Sequence, residues 1–263
     1  MPVFLQKIAI DSQLIVSEII TLSKSIIQIR FQLDKKAILA VEALGLGPHL
    51  KLIFPEPGQQ SIVFPDLNEA GKIIWPEGEK LAIRTYSLRA YDAASHTLTI
   101  EFAIHAEGIG SKWAQYAKPG DVIGALGIGA KCEYQQQYLV LVGDITAKPA
   151  ISYILEHLPA DAKGHAFIEV PDHSDMITIR KPQGVTLSWH IQQHPSLFPE
   201  MLIKSLNLPD EGNILIWGGM EGSLAQHVRH CLVDQFNVNK SDIQLLNYWR
   251  IGFAEGEFRR REG

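Results

Sequence analysis

Leu81-Ala82-Ile83-Arg84-Thr85-Tyr86-Ser87-Leu88 is the stretch on which the reading of this chain turns. Its composition predicts a strand, and a second strand with clean alternation follows it. One rigid element then carries a cation, an aromatic ring and small hydroxyls close together. Arg84 can clamp a pyrophosphate through two parallel N–H bonds. Tyr86 can stack on a flat heterocycle, and Ser87 can hydrogen-bond to a ring nitrogen. Those are the requirements of a flavin dinucleotide. The same residues also suit an ordinary strand with Tyr86 in the core and Arg84 in water, so the motif alone does not choose between the two.

Outward from this stretch, the first half of the chain has the period of antiparallel strands. Ile27, Ile29, Phe31 and Leu33 alternate with Gln28, Arg30 and Gln32, and Leu98, Ile100, Phe102 and Ile104 alternate with Thr99, Glu101 and Ala103. One apolar and one polar side mark half-buried strands. Turn clusters such as Pro55-Glu56-Pro57-Gly58, Pro76-Glu77-Gly78-Glu79 and Pro119-Gly120-Asp121 punctuate them, as in a small barrel or sandwich.

The pattern changes near residue 137. Tyr138-Leu139-Val140-Leu141-Val142 is a continuous apolar run ending in Gly143-Asp144, the mark of a strand buried on both faces. Helix is expected over 149–157, 198–205 and 224–236, and strand over 165–170, 213–217 and 243–250. Alternating strand and helix gives a mostly parallel sheet whose ligands bind beyond the carboxyl ends of its strands, where Gly143-Asp144 and Gly218-Gly219 are expected to fall. The expected organisation is an antiparallel β-barrel FAD-binding domain over residues 1–136, then an α/β nicotinamide-binding-type domain over 137–263.

Further along the first half, after Arg84, comes His105-Ala106-Glu107-Gly108-Ile109-Gly110-Ser111-Lys112-Trp113-Ala114. Its glycines allow close backbone approach, and Ser111 is expected to cap a short helix through Tyr116. The free N–H groups of such a helix would seat the rest of a pyrophosphate.

With these motifs in order, the chain resembles the siderophore-interacting proteins, flavin-dependent ferric-siderophore reductases of the wider ferredoxin-reductase superfamily. The resemblance runs from about residue 15 to residue 256. Arg84-Thr85-Tyr86-Ser87 matches that family's R-x-Y-[ST] motif, and 105–114 its H-G-x-x-G-x-x-S-x-W-A block, with Ala106 replacing a glycine. The segment 143–150 is similar to G-D-E-T-A-L-P-A, with Ile145 and Lys148 as departures. Tyr248-Trp249-Arg250-Ile251-Gly252 matches Y-W-R-x-G.

The resemblance implies FAD held by Arg84, Thr85, Tyr86, Ser87, His105, Gly110 and Ser111. Arg84 would lie on the phosphates, Tyr86 on the isoalloxazine and Ser87 near its N5. Thr146 and Ala147 would lie where a nicotinamide meets the flavin, and Gly143, Asp144, Gly218 and Glu221 would face the pyridine nucleotide. Met220 stands where the family usually has glycine. The donor implied is NADH or NADPH, with ferredoxin as an alternative. The substrate implied is a ferric siderophore, often anionic, for which Lys51, Lys131 and Arg250 are the candidate contacts.

Bulk properties agree with such an enzyme. Among 263 residues, 24 basic and 29 acidic side chains give a net charge of −5, which argues against a nucleic-acid binder. Apolar content is 46% and charged content 20%, ordinary for a globular protein. No apolar run has the length of a membrane span and no secretory leader is evident, so a monomeric cytoplasmic protein is expected. Cys132 and Cys231 suggest neither a disulfide framework nor a metal knuckle. His190 with His194, and His227 with Cys231, have the i, i+4 spacing of helical metal ligands, but neither pair has an evident third ligand, and no protein-held metal is expected. The rival readings are a flavin reductase with another electron acceptor and a siderophore-binding protein without turnover.

Overall fold

The computed structural model describes residues 12–33, 47–55, 62–67, 73–74, 82–106, 108–129, 134–135, 138–193, 197–209, 212–253 and 255. The chain divides into two compact units, Met1–Leu22 with Ile26–Glu133, and Ser23–Ser25 with Tyr134–Gly263.

In the first unit come β1 (Ser12–Thr21), β2 (Ile26–Leu33), β3 (His49–Phe54), β4 (Asp66–Leu67) and β5 (Ile73–Ile74). After them come β6 (Ala82–Ser87), β7 (Ala90–Asp92), β8 (Thr97–Ala103), α1 (Ile109–Tyr116) and β9 (Val122–Gly129). Among the described residues, seven of these strands form an antiparallel sheet in the order β6-β3-β9-β1-β2-β8-β7, and β4 pairs with β5 apart from it. Alternation sets the core: Ile29 lies opposite Ile100 and Phe31 opposite Leu98, all four fully buried. The sheet curls on itself. β6 and β8 are far apart in strand order, yet the Tyr86 and Phe102 rings are 4.6 Å apart, the curvature of a barrel that leaves little exposed edge.

The second unit contains β10 (Tyr138–Gly143), α2 (Lys148–His157), β11 (Gly164–Val170) and β12 (Val185–Ile191). It continues with α3 (Phe198–Ser205), β13 (Ile214–Glu221), α4 (Gly222–Phe236) and β14 (Ile243–Trp249). All neighbouring strands are parallel, in the order β12-β11-β10-β13-β14. From β10 the chain steps outward to β12, then crosses to β13 and β14. The order reverses between β10 and β13, and at such a reversal a crevice opens beyond the strand ends. The Val140–Val142 face packs on Phe167, Phe198, Leu202, Ile216 and Val228.

Three expectations change here. β12 was not expected, although Val185, Leu187, Trp189 and Ile191 alternate with polar residues and carry the strand period. His190 therefore lies on a strand, not in a helical i, i+4 pair, and His194 is outside the described residues. β13 runs past Trp217 to Glu221, which places Gly218 and Gly219 inside a strand. Their glycines answer to packing. A Cβ on Gly218 would meet the Val142 carbonyl carbon at 2.8 Å, and one on Gly219 would meet the Tyr248 ring at about 2.5 Å.

Candidate active site

The first constellation is built by β6 and α1. Period-two alternation puts Arg84 and Tyr86 on one face of β6 and Thr85 and Ser87 on the other. Across the ladder, Leu52 faces Arg84, Leu50 faces Tyr86, Lys51 faces Thr85 and His49 faces Ser87. Tyr86 is half-buried, its ring held between Phe102 and an edge-on Phe54 at 6.1 Å. Its hydroxyl end reaches the first turn of α1. A Cβ on Gly110 would meet Tyr86 Cζ at 2.8 Å and Phe54 Cζ at 3.1 Å, and would lie closer still to the tyrosine oxygen. Only glycine lets this helix end rest on that ring. Arg84 is half-buried, and its Nη1 donates to the Ile83 carbonyl at 2.7 Å.

The cap of α1 differs from expectation. Gly108 is the N-cap, at φ 109°, and no side chain caps the helix. Ser111 sits in the first turn, buried; its hydroxyl accepts from the His105 N–H at 2.9 Å and donates to the His105 carbonyl at 2.8 Å. Ser111 thus closes the 105–111 loop instead of occupying the helix end. Gly108 has a second constraint, since a Cβ there would meet the His105 ring at 2.5 Å. With no capping side chain, the first backbone N–H groups of α1 are open to an anion. A flavin dinucleotide needs a cation for phosphate, an aromatic ring and an open helix N-terminus, and this arrangement supplies all three.

The second constellation gathers at the carboxyl ends of β10, β13 and β14, with Asp144 at its centre. Asp144 Oδ1 accepts from the Thr146 N–H at 2.8 Å and the Thr146 hydroxyl at 2.5 Å. Its Oδ2 accepts from the Glu221 N–H at 2.9 Å and Trp249 Nε1–H at 2.8 Å. Burial pushes the Asp144 carboxyl up from the usual carboxylate range, and the bonds from Thr146, Trp249 and Glu221 oppose that rise. Glu221 caps α4, accepting from Ser223 N–H at 2.7 Å, the Ser223 hydroxyl at 2.5 Å and Leu224 N–H at 3.1 Å. Tyr248 lies over Gly219, and Gly143 packs against Ala147 and the Gly219 carbonyl. One carboxylate therefore fixes three strand ends around the crevice.

The remaining candidates are scattered. Ala147 is fully buried at the start of α2 and Thr146 is half-buried. Lys148, in place of an apolar residue, is fully buried at the first position of α2. Lys51 is exposed beside Thr85, on the face of β3 opposite to Arg84 and Tyr86. Arg250 is exposed, with its guanidinium 5.2 Å above the Phe253 ring. Lys131 lies outside the described residues. Trp249, quoted above only as part of a motif, is the partner of Asp144 from 105 residues away. Among the described residues, no group of three or more His, Cys, Asp or Glu side chains could hold a metal ion.

Residues 15–132 match the family model of the siderophore-interacting FAD-binding domain, and residues 136–252 that of the siderophore-interacting protein. Ferric vibriobactin reductase of Vibrio cholerae is 33% identical over 217 residues, covering 80% of this chain and 79% of the relative. The chain belongs to the siderophore-interacting protein family. An NADPH-dependent ferric-chelate reductase of Escherichia coli is 28% identical, over 84% of this chain and 86% of that protein. Among solved structures, a siderophore utilization protein from T. fusca superposes with a TM-score of 0.80 at 26% identity, covering 95% of each chain. A flavohemoglobin from Malassezia yamatoensis with bound FAD and heme matches at a TM-score of 0.66 and 11% identity, over 93% of this chain and 62% of that one; it shares the fold. The first half of this siderophore-interacting protein is thus an FAD-binding domain, and the second completes the ferredoxin-reductase type of architecture. No helix among the described residues is long and apolar enough to cross a membrane.

Proposed function

We propose that this protein is a cytoplasmic, FAD-dependent reductase that takes electrons from a reduced nicotinamide and delivers them to the iron of a ferric siderophore. The observation that carries the reading is the meeting of Tyr86, on the face of β6 it shares with Arg84, with the uncapped N-terminus of α1 across Gly110. Arg84 would neutralise the FAD pyrophosphate, whose oxygens would accept from the N–H groups of Ile109 and Gly110. Tyr86 would lie against the flavin ring. Thr85 and Ser87, on the other face, would contact FAD only around the edge of β6, the terminal strand of this sheet among the described residues. His105 and Ser111 would shape the loop that presents the helix end.

Bound flavin accepts the two electrons of a hydride together and passes them on singly, which an iron acceptor requires. The protein's part is positioning. Gly143, Asp144, Gly218 and Glu221 would shape the crevice for the dinucleotide, and Thr146 would hold its nicotinamide end, oriented by its two bonds to Asp144. Lys51 and Arg250 are the described cations proposed to attract an anionic chelate.

The relatives named as ferric vibriobactin reductase and as ferric-chelate reductase support the acceptor. The test is turnover of the FAD-loaded protein with a reduced nicotinamide, a ferric catecholate and a ferrous trap. Fe(II) formation that depends on FAD supports the reading. An FAD-loaded protein that binds the ferric chelate and releases no Fe(II) would establish the binding-protein alternative instead.

A further inference from the structure

We infer that the nicotinamide donor is NADH and not NADPH, selected at the carboxyl ends of β11 and β12 by Glu169 and Asp172, with His190 taking a ribose hydroxyl. The inference rests on the reductase reading and adds to it the identity of the reductant. In doubly wound sheets a dinucleotide crosses the crevice at the strand reversal, and its adenosine ribose reaches the end of the second strand. There an acidic residue accepts from the ribose 2′-hydroxyl of NADH, or a cation receives the 2′-phosphate of NADPH. Here the second strand is β11, and its end reads Glu169-Val170-Pro171-Asp172.

Carboxylates dominate this end: Glu169, Asp172 and Asp175 stand against Lys24 and His173, which lie near enough to Asp172 to help lower its pKa. Asp172 is half-buried at the mouth, where its Oδ1 accepts from the Ser174 N–H at 2.9 Å. That backbone bond, foremost, holds its carboxyl below the usual range, so it is an anion at neutral pH. Its own N–H donates to the buried Asp175 at 3.1 Å. No Lys or Arg occurs from 169 to 179, or from 182 to 203, the segments that follow β11 and that contain and follow β12. Arg250 lies past β14, three strands from β11, on the order of 14 Å at ordinary strand spacing. A dianionic phosphate about 6 Å from one carboxylate is disfavoured about tenfold even at the dielectric constant of water.

A second observation points to a ligand at the same place. His190 is the register partner of Glu169, so the two side chains share a face of the sheet. Its ring is only 7% exposed, and neither ring nitrogen has a hydrogen-bond partner. Phe167 and Phe198 flank the ring at 6.0 and 5.4 Å and offer it no polar atom. Burial lowers its pKa, so the imidazole is neutral and has one nitrogen able to accept. Buried polar groups are almost always satisfied, and a sugar hydroxyl beside Glu169 is a partner of the right kind.

The test is titration of the full-length, FAD-loaded protein with NAD+ and with NADP+ by isothermal calorimetry, at low and high salt. A parallel arm photoreduces the flavin and adds ferric tris(2,3-dihydroxybenzoate) with a ferrous trap. Binding of NAD+ at least about tenfold tighter than NADP+ is expected, with the gap narrowing as salt rises. Asp172→Arg should close most of that gap, Asp172→Asn part of it, and His190→Phe should weaken NAD+ roughly 3- to 10-fold. Retained FAD content shows that each variant folds. Equal affinities, tighter NADP+, or discrimination unchanged in Asp172→Arg would overturn the inference. If neither nucleotide binds while the photoreduced protein still yields Fe(II), the inference fails and the reductase reading stands. If the photoreduced protein yields none, it is the reductase reading that fails.

Discussion

Gly110→Ala tests the junction of β6 and α1 with a single methyl group. An ideal Cβ at Gly110 lies 2.8 Å from Tyr86 Cζ and 3.1 Å from Phe54 Cζ, and nearer still to the tyrosine oxygen, so something must move. The Tyr86 ring has little room to retreat, because Phe102 is 4.6 Å away and Phe54 6.1 Å away, centroid to centroid. Overpacking of this kind costs about 1–3 kcal/mol. Replacing glycine in a helix returns up to about 1 kcal/mol. Thermal stability is therefore an insensitive reading, since the two effects can nearly cancel. FAD affinity is the sensitive one, because the displaced groups are the ring and the helix end proposed to touch the cofactor. A loss of about 1–2 kcal/mol corresponds to a roughly 5- to 30-fold rise in the FAD dissociation constant. Fluorescence titration of the apoprotein with FAD measures it. Adding Tyr86→Phe removes the closest atom and should relieve part of the strain, visible as partial recovery of the FAD affinity lost in Gly110→Ala. An alanine variant that binds FAD as the parent does would refute the proposed role of this junction.

Other expectations follow from the same contacts. Arg84→Ala should leave the protein folded but largely colourless after purification, checked by flavin content per chain, because no other described cation shares the Arg84–Tyr86 face of β6. Trp249→Phe removes one donor to a buried carboxylate and should cost about 1.5–3 kcal/mol in urea unfolding. Because burial raises the folded-state value of Asp144, the unfolded chain loses this proton first as pH rises. Stability should then fall with rising pH from about 3.9 up to the raised folded value, and Asp144→Asn should abolish that component of the slope. Lys51→Ala should raise KM for an anionic ferric chelate several-fold with flavin content unchanged; an unaltered KM would place the chelate elsewhere.

Local period made much of the scaffold legible. β2 alternates cleanly because it buries one side, and β10 is uniformly apolar because it is covered on both; β8 alternates in sequence yet is buried on both faces, where Glu101 pairs with Arg89. β12 carries the same period, with His190 at one of its alternating polar positions, and the i, i+4 spacing of His190 to His194 is incidental to the strand. Ser111 looked like a cap because serine is the commoner capping residue. Gly108 took the place because only glycine tolerates its positive φ and the His105 ring behind it. The hub was the least accessible part. Asp144 and Trp249 are 105 residues apart, and nothing in either local segment says that a parallel sheet brings the two strand ends together. Tyr86 and Arg84 were legible as residue types, whereas their shared face and the contact across Gly110 required the fold.

The most direct measurement of ferric-siderophore reduction by this protein is an anaerobic single turnover. The FAD-loaded protein is reduced photochemically and freed of reductant. It is then mixed with excess ferric tris(2,3-dihydroxybenzoate) and a ferrous trap while flavin absorbance is followed. Flavin reoxidation with about two Fe(II) formed per FAD is expected, since one reduced flavin holds two electrons and each iron takes one. A flavin that stays reduced, or one that reoxidises without stoichiometric Fe(II), would contradict it.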